Sequence, residues 1–278
     1  MSGQGHSRNR EDGSARIAEP LALDLRALAR TPRLLVALDF DGTLSPVVDR
    51  PDGARALPEA IESIDRLRAL PDTFVAYVSG RALDSLTEVT SPPDDILLAG
   101  SHGAEFRMPG GEPEVAISGE ESERLGRIQD VLTAVAEEFA NVWLEAKPAG
   151  FALHTRRATP EVAERAQEKA RERALAADPE LTARGGKDIV EFSVRPATKG
   201  DALVTLRRHV RATAVLYAGD DVTDEDGFAA LGNDDLGIKV GPGATAADHR
   251  VADPLVVARL LGLLADYRRD PSEPGLSE

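Results

Sequence analysis

Five short runs of apolar residues recur along the chain, and each has the length of a buried β-strand. They read LLVALDF (34–40), FVAYVS (74–79), ILLAG (96–100), AVLYAGD (214–220) and GIKV (237–240). Runs of this kind suit a parallel sheet that is covered by helices on both faces. Apolar residues at helical spacing occur between and after the runs, at 58–70, 81–89, 199–210 and 254–267. This alternation predicts an α/β fold with a doubly wound parallel sheet.

The stretch from 108 to 196 interrupts this alternation. Its pattern predicts two long polar helices, at 120–140 and 159–177. It also predicts four short strands with alternating apolar residues, at 142–147, 150–156, 180–185 and 188–194. Alternation of this kind favours an antiparallel sheet with helices on one face. We therefore expect residues 31–107 and 197–270 to form the core and residues 108–196 an inserted α+β cap that sets substrate specificity.

The two ends of the chain are polar. Residues 1–30 are predicted to be a partly disordered lead-in, although Leu21, Leu23, Leu25 and Leu28 have the spacing of a short helix that packs on the core. The last segment, 271–278, contains Pro271 and Pro274 and is predicted to be a flexible tail.

Composition excludes several classes of function. The chain has 33 Lys and Arg against 48 Asp and Glu, a net charge of −15, which disfavours nucleic acid and anionic membranes as partners. It has no cysteine, so disulfides, thiolate nucleophiles and cysteine-bound metals are ruled out. No apolar run approaches the ~20 residues of a membrane helix. We expect a soluble, cytoplasmic, monomeric protein that acts on a small molecule.

Polar residues follow the predicted strands at the points where those strands end. Asp39 and Asp41 follow the first run, Ser79 and Arg81 the second, and Asp220, Asp221 and Asp224 the fourth. Lys199 begins the helix that precedes the fourth run. Ligands of open parallel sheets bind beyond the carboxyl ends of the strands, so these side chains are expected to meet at one edge.

This set of side chains suits phosphoryl chemistry. Asp39, Asp41 and Asp220 offer hard oxygen ligands, which favour Mg²⁺, and phosphate oxygens commonly complete its coordination. Lys199 and Ser79 can hold the remaining phosphoryl oxygens. We expect Asp39 to attack phosphorus as the nucleophile and Asp41 to give and then take back a proton.

Four motifs carry a resemblance to a known family. DFDGT (39–43), SGR (79–81), Lys199 and GDDVTDED (219–226) resemble, in order, the motifs of haloacid-dehalogenase-like (HAD) phosphatases. GDDVTDED together with GSHGAEFR (100–107) and a cap between the second and third motifs is similar to trehalose-6-phosphate phosphatases.

This resemblance implies a Mg²⁺-dependent hydrolysis of trehalose 6-phosphate to trehalose and phosphate through an aspartyl-phosphate, in trehalose biosynthesis. Asp39 takes the position of the family's nucleophile and Asp41 that of its acid and base. Magnesium is implied to bind Asp39, the backbone carbonyl of Asp41, and Asp220. Asp221 and Asp224 match supporting positions that orient water or Lys199.

The cap supplies candidate substrate-binding residues. The pairs Glu145/Lys147 and Lys187/Glu191 have the Glu-x-Lys and Lys-x-x-x-Glu spacings with which the family grips the second sugar. Carboxylates and cations suit the many hydroxyls of a disaccharide phosphate. His102 and Arg81 are the candidates for substrate contact from the core.

Several alternatives remain open from the sequence. The chain also fits another HAD sugar-phosphate phosphatase, acting on sucrose phosphate or glucosyl-glycerate phosphate, a phosphosugar mutase, or a non-catalytic sugar-phosphate sensor. Taken alone, Ser79 suits a turn or helix cap, Lys199 a solvated first-turn lysine, and each cap pair an ordinary surface pair.

Overall fold

The computed structural model of the protein describes residues 17–48, 50–109, 118–147, 149–186, 188–195 and 197–270. The predicted tail at 271–278 and the first sixteen residues of the predicted lead-in therefore lie outside the described residues. The strands are β1 (Leu34–Leu38), β2 (Thr73–Val78), β3 (Leu97–Gly100), β4 (Glu105–Arg107), β5 (Trp143–Lys147), β6 (Gly150–His154), β7 (Thr182–Gly186), β8 (Ile189–Ser193), β9 (Ala214–Gly219), β10 (Leu236–Val240) and β11 (His249–Val251). The helices are α1 (Glu19–Ala29), α2 (Pro58–Arg68), α3 (Leu83–Thr90), α4 (Gly119–Glu138), α5 (Pro160–Ala177), α6 (Lys199–Val210), α7 (Asp224–Ala229) and α8 (Pro254–Arg269).

Among the described residues, seven strands form one sheet in the order β11-β10-β9-β1-β2-β3-β4. Its pairs are parallel except for β3 with β4. Helices α1, α2, α3 and α8 cover one face of this sheet, and α6 and α7 cover the other. The predicted doubly wound fold is confirmed, and all five predicted strands are present. The short strands β4 and β11 were not predicted, because three residues are too few to show a periodic pattern.

The first described helix belongs to the core. Leu21, Leu25 and Leu28 lie on one stripe of α1 and are buried, whereas Leu23 points to solvent. That stripe packs beside α8 in the same apolar cluster. The short helix predicted from these leucines is therefore confirmed, and it packs on the core although it precedes the predicted core boundary at residue 31.

The strand order places β1 in the middle of the seven-stranded sheet, with three strands on each side. The chain moves outward from β1 through β2 and β3 on one side, and it returns later to lay β9 and β10 on the other side. Ligands bind at such a reversal of strand order, where the loops after the two central strands leave a crevice. The loops after β1 and β9 are the ones that carry Asp39 and Asp220.

Strands β5 to β8, which we call the cap sheet, form a separate antiparallel sheet in the order β5-β6-β8-β7. Helices α4 and α5 pack on one face of it, against Phe151, Leu153, Val190 and Phe192. Because side chains alternate along a strand, the residues between these apolar positions lie on the opposite face. The division into a core and a specificity cap, with boundaries at 108 and 196, stays a prediction.

None of the helices in the described part of the chain combines the length and the apolar character needed to span a lipid bilayer.

The packing of α2 yields a test of the core with a matched pair of variants. Ile64 packs in the apolar cluster under the sheet and is only 1% exposed, whereas Ile61 on the same helix is 48% exposed. Ile64→Ala should lower the free energy of unfolding by about 2–5 kcal/mol, because it leaves a cavity in a packed core. Ile61→Ala should cost less than about 1 kcal/mol. Urea unfolding followed by circular dichroism measures both, and equal losses would contradict the assigned orientation of α2.

Candidate active site

The site begins where β1 and β9 end side by side. The register pairs Leu38 with Ala218, and the Asp39 N–H donates to the Ala218 carbonyl over 2.9 Å. Asp39 and Asp220 follow these two strands, and Asp224 begins α7 shortly after β9. One carboxylate oxygen of each of the three lies within 4.8 Å of the others. The strand register thus brings three acidic side chains to one point.

Lys199 lies at the centre of this cluster. Its Nζ donates to Asp39 Oδ1 over 2.7 Å and to Asp224 Oδ1 over 2.6 Å, and the side chain is 3% exposed. Burial lowers the pKa of Lys199, but the charges of Asp39 and Asp224 outweigh it and raise the pKa above its usual value. Lys199 is therefore a buried cation, and the alternative of a solvated first-turn lysine is wrong.

The cluster carries more negative charge than Lys199 balances. Burial raises the pKa of Asp39 to about 8 together with the charges of Asp224 and Asp220, against the opposing charge and hydrogen bond of Lys199. Burial and the charge of Asp224 likewise raise the pKa of Asp220. The buried Oδ1 of Asp220 has no hydrogen-bond partner among the described residues. A buried carboxylate oxygen in this situation fits the place of a cation ligand.

A glycine permits this close approach of the two loops. Gly42 has a φ of +82°, and a Cβ at this position would lie 2.0 Å from Asp220 Oδ2. A side chain at residue 42 would therefore displace the Asp220 carboxylate as well as strain the backbone. The glycine of the DFDGT sequence is thus a steric requirement of the site.

Asp224 is held by three donors and is fully buried. Besides Lys199, the Tyr217 hydroxyl donates to its Oδ1 over 2.5 Å and the Asp221 N–H donates to its Oδ2 over 2.8 Å. Asp224 therefore orients Lys199, as the family resemblance implied. The side chain of Asp221 is exposed, and this residue supports the site through its backbone.

Two residues that support the site were missed from the sequence. Tyr217 lies inside the apolar strand β9, and a buried tyrosine hydroxyl usually has a partner, which was the available signal. Lys239 in β10 is buried, and its Nζ donates to the backbone carbonyls of Asp220 and Asp221, the latter over 3.2 Å. Lys239 thereby holds the loop that carries Asp220, and nothing in its local sequence indicated that contact.

Asp41, Ser79 and Arg81 form the neighbouring side of the site. Arg81 donates from Nε and Nη2 to the two carboxylate oxygens of Asp41 over 2.5 and 2.6 Å. The Ser79 hydroxyl accepts the Arg81 N–H over 3.1 Å, so it closes the turn after β2 as well as lining the site. Because the Asp41 side chain pairs with Arg81, a metal contact from Asp41 would come from its backbone carbonyl.

A cavity lies between the loop after β3 and the cap sheet. Its charged and polar lining includes Ser101, His102, Lys147, Arg184, Glu191 and Arg195. The His102 ring packs on Gly80, where a Cβ would lie 2.7 Å from it. Burial and then the charge of Lys199 lower the pKa of His102 to about 4, so its ring is neutral near pH 7.

Glu145, Lys147 and Glu191, three of the four predicted cap residues, lie on the face of the cap sheet that α4 and α5 leave uncovered. Glu145 accepts from Lys147 and pairs with His154, each over 2.6 Å, and Lys147 also lies 3.9 Å from Glu105 of β4. Glu191 is half-buried beside them, and burial raises its pKa. Lys187 lies outside the described residues. Glu105 and Arg184 are part of this arrangement and were not predicted.

Known proteins resemble this chain both in sequence and in fold. A family model described as Trehalose-phosphatase matches residues 37–255. The chain is 31% identical to the trehalose-6-phosphate phosphatase of Escherichia coli over 81% of this chain and 85% of that protein. It is 36% identical to the bifunctional trehalose-6-phosphate synthase/phosphatase of Thermoproteus tenax over 89% of this chain, which spans only 34% of that longer protein.

A solved structure extends the comparison to the fold. The trehalose-6-phosphate phosphatase of Aspergillus fumigatus superposes with a TM-score of 0.64 at 25% identity, covering 88% of this chain and 97% of that one. The matched segment contains each of the four motifs and the whole cap sheet. This chain belongs to the trehalose-phosphatase family.

Proposed function

We propose that this protein hydrolyses trehalose 6-phosphate to trehalose and inorganic phosphate with Asp39 as nucleophile and Mg²⁺ as cofactor. The observation that carries the proposal is the buried Lys199, which fixes Asp39 beside Asp220, whose Oδ1 has no partner among the described residues. His102, which packs on Gly80 beside Ser79, lines a cavity with polar cap residues, and the chain belongs to a family of matching activity.

The first chemical step concerns Asp39. Lys199 occupies Asp39 Oδ1 and thereby holds the carboxylate in one orientation, which leaves Oδ2 to attack phosphorus. A bond forms between Oδ2 and phosphorus as the bond from phosphorus to the sugar oxygen breaks. The ammonium group of Lys199 is placed to offset negative charge on the transferring phosphoryl group.

Proton transfer falls to Asp41. In its protonated form Asp41 gives a proton to the departing sugar oxygen. It regains a proton from the water that attacks the aspartyl-phosphate, which releases phosphate and restores Asp39. Arg81 holds both Asp41 oxygens through its Nε and Nη2. We infer that the incoming phosphate draws Arg81 into new hydrogen bonds, and that this exchange frees Asp41 for its proton transfers.

The donor set fits a magnesium ion. Asp39, Asp220 and the Asp41 carbonyl are all hard oxygen donors, and Asp220 Oδ1 has no other partner among the residues described here. When bound, Mg²⁺ would neutralise part of the carboxylate charge and of the phosphate charge. Asp224 is occupied by Lys199 and Tyr217, so it supports the site rather than the ion.

The cap face suits a neutral polyol next to the phosphate. Lys147 and Arg184 are donors and Glu145 and Glu191 are acceptors, so cationic and anionic side chains balance. Each sugar hydroxyl both donates and accepts a hydrogen bond, and it is best met by such a mixture. A second anionic group would meet Glu145 and Glu191. This arrangement favours a sugar monophosphate over a bisphosphate.

A substrate panel tests this function directly. We expect Mg²⁺-dependent phosphate release from trehalose 6-phosphate with a kcat/KM at least ~10²-fold above those of sucrose 6-phosphate, glucosyl-glycerate phosphate and glucose 6-phosphate. A site that binds hydroxyls rejects analogues whose hydroxyls are missing or differently placed. A preference for another ester would assign a different sugar-phosphate phosphatase. A requirement for a bisphosphate activator would indicate a mutase, and no turnover of any ester would indicate a sensor.

Replacement of the nucleophile gives a second prediction. Asp39→Asn should lower kcat for trehalose 6-phosphate and for p-nitrophenyl phosphate by about 10³-fold or more, because no phosphoenzyme can form. The circular dichroism spectrum should be unchanged. Asp226→Asn is the matched control, since Asp226 is an exposed aspartate on α7. A turnover rate in Asp39→Asn within a few-fold of the parent rate would exclude Asp39 as nucleophile.

Metal binding gives a third prediction. Mg²⁺ at about 100 times its Kd should stabilise the protein by about 2.7 kcal/mol. For a chain of this size that is a rise in Tm of about 5 °C or more. Asp220→Asn should lose most of this rise, whereas Asp226→Asn should keep it. Differential scanning fluorimetry with and without Mg²⁺ measures the effect, and an unchanged rise in Asp220→Asn would remove Asp220 from the metal site.

A further inference from the structure

Charged residues lie in one row across the cap sheet. The register pairs Glu145 with Ala152, Ala152 with Glu191, and Glu191 with Arg184. Side chains in register on neighbouring strands share a face, so Glu145, Glu191 and Arg184 all lie on the face opposite α4 and α5. This row continues the predicted pair of carboxylates onto β7, where the sequence suggested no binding residue.

Arg184 is placed for a ligand rather than for a partner in the protein. Its side chain is half-buried and lines the cavity together with His102, Lys147 and Glu191. Among the described residues, none forms a hydrogen bond or ion pair with its guanidinium. Glu145 and Lys147, which share this face, are bonded to each other, and Glu145 also pairs with His154.

The relation of Arg184 to Glu191 is unusual for opposite charges in register. Directly opposed residues of opposite charge usually attract, yet these two form no ion pair, so both keep their hydrogen-bonding capacity. The charge of Arg184 also acts on Glu191 and on His102, which line the same cavity. Burial is the largest influence on the pKa values of Glu191 and His102, and the charge of Arg184 lowers both.

We propose that Arg184 binds the sugar part of the substrate and, together with Glu191, determines specificity for a disaccharide phosphate. A guanidinium offers several donors in one plane, and a carboxylate offers only acceptors. Side by side, they match adjacent hydroxyls of a sugar ring, in which one oxygen accepts from Arg184 while a neighbouring O–H donates to Glu191. This inference rests on the proposed function and adds a residue that the Glu-x-Lys and Lys-x-x-x-Glu pairs do not contain.

The test compares one sugar substrate with one that has no sugar. In Arg184→Ala, the ratio of kcat/KM for trehalose 6-phosphate to kcat/KM for p-nitrophenyl phosphate should fall about 10- to 100-fold, as for loss of a charge-assisted hydrogen bond. Most of the loss should be in KM. Arg184→Lys should recover only part of it, because lysine keeps the charge but not the planar fork. Arg173→Ala is the matched control, since Arg173 pairs with Glu138 away from the cavity.

Binding without turnover gives an independent readout. In the Asp39→Asn background, calorimetric titration with trehalose 6-phosphate should show a Kd raised by a similar factor when Arg184 is also replaced by Ala. An unchanged ratio and an unchanged Kd would overturn the proposal, as would equal losses on both substrates. If the parent enzyme prefers another sugar phosphate, the proposed function fails, and the same comparison on that preferred ester decides the role of Arg184.

Discussion

The buried ion pairs of Lys199 with Asp39 and Asp224 are the interaction on which the site depends. Removal of one partner from a buried pair costs about 3–5 kcal/mol, because an uncompensated charge is left in the interior. Lys199 reaches this position because α6 begins at that residue, and Asp39 approaches it from the loop after β1 and Asp224 from the first residue of α7. The same contacts hold the Asp39 carboxylate in one orientation, so the electrostatics of the core and the proposed attack by Asp39 depend on one ammonium group.

The two sheets present different sets of polar side chains. The parallel sheet brings carboxylates to one edge, where they suit a divalent cation and a phosphoryl group. The cap sheet buries Phe151 and Phe192 on one face and so leaves Glu191 and Arg184 on the other, next to the cavity. In the proposed function, chemistry and specificity come from different parts of the chain. His102, in the loop after β3, packs on Gly80 and also lines the cavity under the cap sheet.

Much of this could be predicted, because the informative residues stand beside strong local patterns. The apolar runs located the five central strands, and the residues directly after them, Asp39, Ser79 and Asp220, lie at the predicted edge. Lys199 stood out because a cation at a helix start is electrostatically unfavourable unless something compensates it. Tyr217, Lys239 and Arg184 were missed, because each looks like an ordinary strand residue until its cross-strand neighbours are known.

The sequence by itself determined the order of the elements, the doubly wound core, the acidic and cationic residue types at the strand ends, and the resemblance to a phosphatase family. These follow from hydrophobic periodicity and short motifs, which are local properties of a chain. Only the tertiary structure decided which oxygens Lys199 binds and that Asp41 pairs with Arg81. It also decided that Arg184 and Glu191 lie opposite each other on the neighbouring strands β7 and β8. Such contacts join residues as many as 160 positions apart, and strand register and helix packing set them rather than any pattern within one segment.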